Sequence, residues 1–237
     1  MHIFYAPDVA ENALGSTYAL NSEESQHCTK VLRLKVDNIV GLTDGKGNIY
    51  EAVLTDVNHR NCFVRIENVI RHEQKPDFAI HIAIAPTKNI ARTEWFIEKA
   101  TEIGVSDITP VFSVNSERNI VKMERLNKIL ISALKQSQQA FMPTLHDSMP
   151  LNAFFDTFDA QCKLIATCEG SDKKTIKQAY TPNQSVIVLI GPEGDFVSEE
   201  INKALQSGYQ TITLGSNRLR TETAALVALQ SIHTINQ

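Results

Sequence analysis

Hydrophobic and polar positions follow one rhythm in the first seventy residues of this chain and a different rhythm after them. The first stretch consists of short runs rich in β-branched and aromatic residues, separated by turn residues, which predicts β-strands. We assign these strands to Val31–Arg33, Asn38–Thr43, Ile49–Asp56 and Cys62–Val69. The segment Asp44–Asn48 contains two glycines and predicts a hairpin turn. The pattern therefore predicts a small β-barrel over residues 1–72.

The polar segment 71–77 marks a boundary, because Pro76 disfavours a helix there. After it, strands and helices alternate, which is typical of a mainly parallel sheet covered by helices. The predicted strands are Phe78–Ala85, Asp107–Phe112, Lys163–Thr167, Ser185–Ile190 and Thr211–Leu214, and the predicted helices are Asn89–Ile103 and Lys122–Gln139. Gly104 is placed to end the first helix as a C-cap. We expect an α/β domain over residues 73–237.

Composition narrows the class of protein. The chain has 237 residues, of which 43% are hydrophobic, enough for a substantial core. No apolar run approaches the roughly 20 residues that span a bilayer, and the N-terminus has no basic region followed by an apolar one, so we expect a cytoplasmic protein without a membrane segment. The net charge of −4 is spread evenly, which excludes non-specific coating of a polyanion. Any contact with nucleic acid must rely on local basic patches.

Cysteine and histidine spacing predicts no metal site. The four cysteines form no C-x-x-C pair, and no two histidines lie four residues apart. We expect reduced thiols in or near the core. Cys168 follows an apolar run, and both packing and a nucleophilic role stay open for it. Gly45–Gly47 predicts a hairpin rather than a phosphate loop, and no nucleotide-binding glycine motif occurs elsewhere.

Two glycine-rich segments, Leu189–Phe196 and Leu214–Ala225, carry the candidate chemistry. Each follows a β-rich apolar run and precedes a helical pattern, so each is expected to form a loop at the carboxyl edge of the sheet, where α/β folds bind ligands. Glycines let the backbone approach a ligand closely. Glu193, Arg220 and Glu222 supply charge at the same place.

Two helices are predicted to follow these loops. Ser198 is placed to cap a helix that ends at Gln206. The last helix contains Ala224–Leu229, which is apolar nearly all round and is therefore expected to be buried.

Taken together, these motifs resemble the RsmE family, the 16S ribosomal RNA uridine-N3 methyltransferases of the SPOUT superfamily. Its two signature loops match Gly191–Gly194 and Leu214–Gly215 with Leu219–Ala224, and its first helix matches Lys99–Val105. Its N-terminal RNA-binding domain is similar at His27, Val31–Arg33 and Asp44–Gly45, and its basic loop at Asn115–Arg118. The resemblance covers the whole chain.

The resemblance implies an α/β fold in which a C-terminal SPOUT methyltransferase domain with a trefoil knot follows a small PUA-like β-barrel. It also implies a homodimer, and S-adenosylmethionine bound in a bent form inside the knot. The implied cofactor-binding residues are Thr167, Cys168, Glu169, Leu189, Ile190, Gly191, Glu193, Gly194, Leu214, Gly215, Ser216, Leu219, Arg220 and Thr223.

The implied reaction is methylation of N3 of a specific uridine in 16S rRNA, expected to be U1498 in the decoding region of the small ribosomal subunit. For this reaction we expect Arg220 to stabilise negative charge on the uracil ring. Glu222 either accepts the N3 proton or holds Arg220 by a salt bridge. Phosphate contacts are expected from Arg33, Arg118, Lys122 and Arg125, although these are also ordinary solvated charges.

The chain departs from the family pattern at three places. Gln139 stands where members commonly have arginine, a second basic residue near His2 is missing, and Asp195 often corresponds to glycine. Two other functions stay open. One is a different SPOUT activity, such as ribose 2′-O-methylation or transfer-RNA methylation, and the other is a non-catalytic RNA-binding factor that kept the fold.

Overall fold

The computed structural model describes residues 1–9, 13–170 and 172–237. It divides into two compact units, one formed by Met1–Lys75 with Ile131–Met142 and the other by Pro76–Leu130 with Pro143–Gln237. The sequence pattern placed residues 131–142 in the α/β region. They belong to the N-terminal unit because Ala140 packs there with Ile3 and Ile49. A functional boundary between residues 72 and 73 stays a prediction.

The N-terminal unit is a five-stranded sheet wrapped around one core. Its strands are β1 (Ile3–Tyr5), β2 (Thr17–Ala19), β3 (Ile39–Thr43), β4 (Asn48–Asp56) and β5 (Phe63–His72). The spatial order is β1-β3-β4-β5-β2, with β1 and β3 parallel and the other pairs antiparallel. Phe4, Leu42, Leu54 and Ile66 are fully buried in its core. The expectation of a small, curled β-sheet unit is confirmed.

The hairpin between β3 and β4 is also confirmed. Asp44 Oδ1 accepts hydrogen bonds from the backbone N–H groups of Lys46 (2.7 Å) and Asn48 (3.0 Å). Gly45 and Gly47 have φ of 71° and 115°, a region that side chains disfavour.

The predicted strand at Val31–Arg33 is wrong. Helix α1 (Ser22–Gln26) begins after Asn21, whose side chain accepts the Glu24 N–H, and continues into a π-helical turn at His27–Val31. Val31 is 68% exposed, so no neighbouring strand covers it. Helical hydrogen bonds hold the backbone here instead, such as the one from the Leu32 N–H to the His27 carbonyl at 3.0 Å.

The second unit contains an eight-stranded sheet in which every pair is parallel. Its strands are β6 (Ile80–Ile84), β7 (Asp107–Phe112), β8 (Thr144–Leu145), β9 (Met149–Pro150), β10 (Cys162–Ala166), β11 (Lys174–Thr175), β12 (Val186–Ile190) and β13 (Gln210–Thr213). The order is β11-β13-β10-β12-β6-β7-β8, and β9 pairs with β7. This confirms the α/β prediction. The two-residue strands β8, β9 and β11 were not predicted, because they are too short to show a hydrophobic period.

The helices are α2 (Ile90–Ile103), α3 (Met123–Ser137), α4 (Leu151–Thr157), α5 (Ile176–Ala179), α6 (Ser198–Gln206) and α7 (Thr221–Asn236). Asn89 caps the start of α2, and Gly104 ends it in the left-handed conformation, as predicted. Ser198 is not the cap of α6, because the helix begins at Ser198 itself, one residue earlier than that role requires, and Val197 occupies the N-cap position. The Glu200 carboxylate instead accepts the Val197 N–H at 3.0 Å.

Helix α7 is buried on one side only, which corrects the expectation that it is buried all round. Ala225, Ala228 and Leu229 are buried, whereas Leu226 and Val227 are partly exposed. A search of the described residues found no helix long and apolar enough to cross a membrane.

Candidate functional site

The central strands of the parallel sheet place three loops side by side. Strand β10 pairs with β12 on one side and with β13 on the other, so their carboxyl ends lie together. We call the following segments the β10 loop (Thr167–Glu169), the β12 loop (Gly191–Val197) and the β13 loop (Leu214–Arg220). They enclose a cavity of about 760 Å³, here called the edge cavity. Small-molecule sites in proteins are typically about 300–1,000 Å³.

Most of the residues expected to bind the cofactor line the edge cavity: Thr167, Cys168, Glu169, Ile190, Gly191, Glu193, Leu214, Gly215, Ser216, Leu219 and Arg220. Three others do not line it. Leu189 is buried in the core, Gly194 packs beside Asn115, and Thr223 lies in the first turn of α7. Their roles stay predictions.

The edge cavity also has lining residues that sequence reasoning did not assign to it. Arg92 comes from the first turn of α2, and Lys173 follows the β10 loop. The Lys173 ammonium donates to the carbonyls of Thr167 (3.1 Å) and Cys168 (2.8 Å). No local pattern marks either residue, because both reach the cavity through the fold.

The β12 loop is held from several directions. Glu193 Oε1 accepts the Lys88 N–H at 3.1 Å, and the Asn115 amide donates to the carbonyls of Gly194 (3.2 Å) and Asp195 (3.0 Å). Gly191 is buried and its carbonyl accepts the Thr221 hydroxyl at 3.1 Å. The loop is therefore fixed to the segments that follow β6 and β7 and to the start of α7.

The β13 loop is much more exposed. Gly215, Ser216, Asn217 and Arg218 are all exposed to solvent. Within the described residues, its recorded contact with the β12 loop is one hydrogen bond of 3.3 Å, from the Arg218 guanidinium to the Glu193 carbonyl. A ligand can therefore reach this loop, in which both backbone groups of Gly215 are bonded to the Thr213 hydroxyl.

Glu222 is the buried acid of the site. It is 7% exposed, in the first turn of α7, where the helix dipole favours negative charge. Its Oε1 lies 3.8 Å from Arg92 Nε, and its Oε2 has no hydrogen-bond partner among the described residues. Arg220, at the N-cap position of α7, is exposed and lines the edge cavity. The recorded ion pair of Glu222 is thus with Arg92 and not with Arg220.

The cations expected to contact RNA have different surroundings. Arg118 donates to the carbonyls of Thr87 (3.2 Å) and Lys88 (2.8 Å), and Arg125 forms a two-point ion pair with Glu94. Lys122 is exposed beside them. Arg33, in the N-terminal unit, is exposed and has a φ of 55°. Arg118 and Arg125 therefore also support local structure, and contact with RNA stays a prediction for all four.

The four cysteines are free thiols. Three of them, Cys28, Cys62 and Cys162, are buried as expected, and burial raises the pKa of Cys28 to about 12. Cys168 instead is exposed at the wall of the edge cavity. His81, in β6 of the second unit, is buried, and burial lowers the pKa of its imidazole to about 4.

Comparison with known proteins gives consistent matches. A family model described as an RNA methyltransferase domain matches residues 73–233, and one described as an RNA methyltransferase PUA domain matches residues 20–67. A relative from Buchnera aphidicola, named ribosomal RNA small subunit methyltransferase E, is 29% identical, covering 94% of this chain and 89% of its own length.

Solved structures agree. One from Porphyromonas gingivalis, described as a probable rRNA methyltransferase, is 38% identical with a TM-score of 0.88 and covers 100% of this chain and 98% of its own. A ribosomal RNA small subunit methyltransferase E from Neisseria gonorrhoeae, solved with S-adenosylmethionine bound, is 28% identical with a TM-score of 0.88 and covers 99% of this chain and 98% of its own.

Proposed function

This chain belongs to the RNA methyltransferase family, and we propose that it transfers a methyl group from S-adenosylmethionine to N3 of one uridine in 16S rRNA. The family resemblance is confirmed, and so is the fold class that it implied, a PUA domain followed by an α/β methyltransferase domain with a parallel sheet. The observation that carries the proposal is the edge cavity, where Arg220 lines the wall and Glu222 lies behind it.

The residues around the edge cavity fit S-adenosylmethionine. This molecule carries a positive sulfonium and ammonium and a negative carboxylate, and the lining contains groups of both signs. Glu193 Oε2 is buried without a hydrogen-bond partner among the described residues, so it is suited to accept from an ammonium or a hydroxyl. When bound, the cofactor supplies a reactive sulfonium methyl group. The β12 and β13 loops would hold its nucleoside part through their backbone groups.

Methylation at N3 requires the uracil ring to lose its N3 proton, and the charge that develops spreads to the two flanking carbonyl oxygens. Arg220 is exposed to the cavity and its guanidinium is always charged, so it can pair with one of these oxygens. Glu222 accepts the proton, directly or through water. Its pairing with Arg92 leaves Arg220 available for the base.

Arg92 supports this role of Glu222. A buried carboxylate is costly to ionise without a nearby positive charge. The Arg92 guanidinium, 3.8 Å away, and the N-terminus of α7 both place positive charge beside the Glu222 carboxylate. Oε2 of Glu222, which has no recorded partner, is then the atom that takes the proton.

The target is a base within folded RNA, so it must leave its stack to reach the edge cavity. We propose U1498 of 16S rRNA in the small subunit as this base. Arg33, Arg118, Lys122 and Arg125 are proposed to hold the surrounding phosphates. Such a substrate places the reaction in the cytoplasm.

We also propose that the protein acts as a homodimer. One face of α7 contributes Leu226, Val227 and Ile235 to an apolar groove of about 700 Å³, which also includes Ile103 and Ile176. A second copy of α7 would cover these side chains and explain why a helix apolar nearly all round is buried on one side only. Sedimentation of the wild-type protein should give twice the chain mass, and Leu226→Glu should give the monomer.

The central test combines binding and product analysis. Calorimetry should detect S-adenosylmethionine binding to the wild-type protein, and nucleoside mass spectrometry should detect N3-methyluridine after incubation with small subunits from a deletion strain. Glu222→Gln should bind the cofactor but lose methylation by about 10²–10⁴-fold, the usual contribution of a proton acceptor. Cofactor binding without any methylated uridine would point instead to a different nucleotide, and no binding at all would favour a non-catalytic RNA-binding factor.

A further inference from the structure

The Asp195 side chain joins two walls of the edge cavity. From its place in the β12 loop, its Oδ2 accepts hydrogen bonds from the Cys168 N–H (2.7 Å) and the Thr167 hydroxyl (3.2 Å) in the β10 loop. Its Oδ1 accepts the N–H of Phe196 at 2.8 Å, which sets the direction of the carboxylate. Hydrogen bonds to an ionised carboxylate are stronger than those between neutral groups. No other described side chain links these two loops at the same points.

The backbone at this position explains why the link is unusual. Asp195 has a φ of 63°, in the left-handed region that glycine adopts without cost and that aspartate tolerates better than most residues. An aspartate here accepts backbone strain, and the three hydrogen bonds of its carboxylate offset it. The side chain therefore contributes something that glycine does not.

The β10 loop is held from the opposite direction as well. The Lys173 ammonium binds the carbonyls of Thr167 and Cys168, while Asp195 binds the hydroxyl and the N–H of the same two residues. The Glu169 N–H completes the turn by donating to the Thr167 hydroxyl at 3.1 Å. The hydroxyl and carbonyl of Thr167, the N–H and carbonyl of Cys168 and the N–H of Glu169 thus all have hydrogen-bond partners in the ligand-free protein.

We propose that Asp195 is a positioning residue that fixes the β10 loop as a preformed wall of the cofactor site. This inference rests on the proposed function, since it takes S-adenosylmethionine as the ligand of the edge cavity. A preformed wall raises affinity because less conformational entropy is lost when the ligand binds. Without the Asp195 carboxylate, the β10 loop would have to be ordered when the ligand binds.

The test uses Asp195→Gly, which removes the carboxylate and also relieves the left-handed strain, so misfolding is not the expected result. Asp37→Gly is the matched control, because Asp37 also has a positive φ (69°) but is exposed in the N-terminal unit. Asp195→Asn is the second variant. Its amide keeps one acceptor for the Cys168 N–H but places a donor against another N–H, so its effect should be intermediate.

The first measurement is hydrogen exchange at the Cys168 amide in the ligand-free protein. Loss of a charge-assisted hydrogen bond should speed this exchange about tenfold or more in Asp195→Gly and leave it unchanged in Asp37→Gly. The second is calorimetry with S-adenosylmethionine, where Asp195→Gly should bind about tenfold more weakly. Comparable methyl-transfer rates at saturating cofactor would show that the loss lies in binding rather than in catalysis.

The outcomes separate the two ideas. Wild-type exchange at Cys168 in Asp195→Gly overturns the link itself, whatever the cofactor does. Faster exchange with unchanged cofactor affinity overturns the positioning role. If the wild-type protein does not bind S-adenosylmethionine, both the proposed function and the positioning role are wrong. The exchange data still show whether Asp195 links the two loops.

Discussion

The β12 and β13 loops are built from similar glycine-rich sequences, yet their surroundings differ sharply. The β12 loop begins with buried Gly191 and Pro192 and is bonded to Lys88, Asn115 and Thr221. The β13 loop is exposed from residue 215 to residue 218 and is bonded mainly within itself. The same kind of sequence therefore gives a fixed wall in one place and an accessible one in the other.

We therefore expect the two loops to serve different roles, one in cofactor binding and one in catalysis. A fixed loop costs little entropy on ligand binding, so it suits recognition of a ligand whose shape never varies. An exposed loop is accessible to a ligand, and this one ends at Arg220 and leads directly into α7, which carries Glu222. We expect substitutions in the β12 loop to affect stability and cofactor binding, and substitutions at the end of the β13 loop to affect catalysis.

The largest effect expected from a substitution within these two loops is at Arg220. Arg220→Ala should lower the methyl-transfer rate at saturating cofactor by about 10²–10³-fold, the typical cost of removing one group that stabilises developing negative charge. Arg218→Ala is the control, since Arg218 is an exposed arginine on the same loop. Equal losses for both arginines would mean that general loop charge, rather than Arg220 itself, serves the reaction.

A smaller effect is expected at Arg92, which tests whether catalysis depends on α2 as well as on the β13 loop. Arg92→Ala should lower the rate by about 10–10²-fold, and adding it to Glu222→Gln should cost little more, because residues that act together are not additive. Arg92→Lys should recover part of the activity. Fully additive losses would show that the two side chains act separately.

Unfolding measurements on two glycine variants test whether the β12 loop is more tightly packed than the β13 loop. A Cβ at Gly191 would lie 3.1 Å from the ring of Phe196, which is buried, so Gly191→Ala should lower the free energy of unfolding by about 1–3 kcal/mol. At Gly215 no atom lies within 4 Å, but φ is 130°, so Gly215→Ala should show only backbone strain of about 1 kcal/mol. Denaturant unfolding measures both, and a larger loss at Gly215 would reverse the comparison.

The smallest effect is expected where the β12 loop meets α7. Thr221→Val removes the buried hydrogen bond from the hydroxyl to the Gly191 carbonyl and should cost about 1 kcal/mol of unfolding free energy. Thr234→Val, at the exposed end of the same helix, is the control. Methylation by Thr221→Val should change little, because the bond supports the loop and touches no reacting atom.

Local patterns predicted much of this fold. The hairpin at Asp44–Asn48, the strand Asp107–Phe112 and the ends of α2 follow from turn residues, alternation and capping, which act over a few residues. Val31–Arg33 was assigned wrongly because helical hydrogen bonds hold the backbone there, and Ser198 because Val197 occupies the N-cap position. Residues 131–142 group with the N-terminal unit, which the sequence pattern did not predict, since a contact between Ala140 and Ile3 leaves no periodic trace in the sequence.

By itself, the sequence determined most of the longer strands and helices and the two loops that carry glycine and charge. These properties depend on the backbone preferences of adjacent residues and on the burial of apolar faces, both of which are readable along the chain. Only the tertiary structure decided that Arg92 pairs with Glu222 and that Asp195 bonds the loop after β10. Such pairs are set by the order of parallel strands, which brings residues distant in sequence within hydrogen-bonding range, and no local preference records that order.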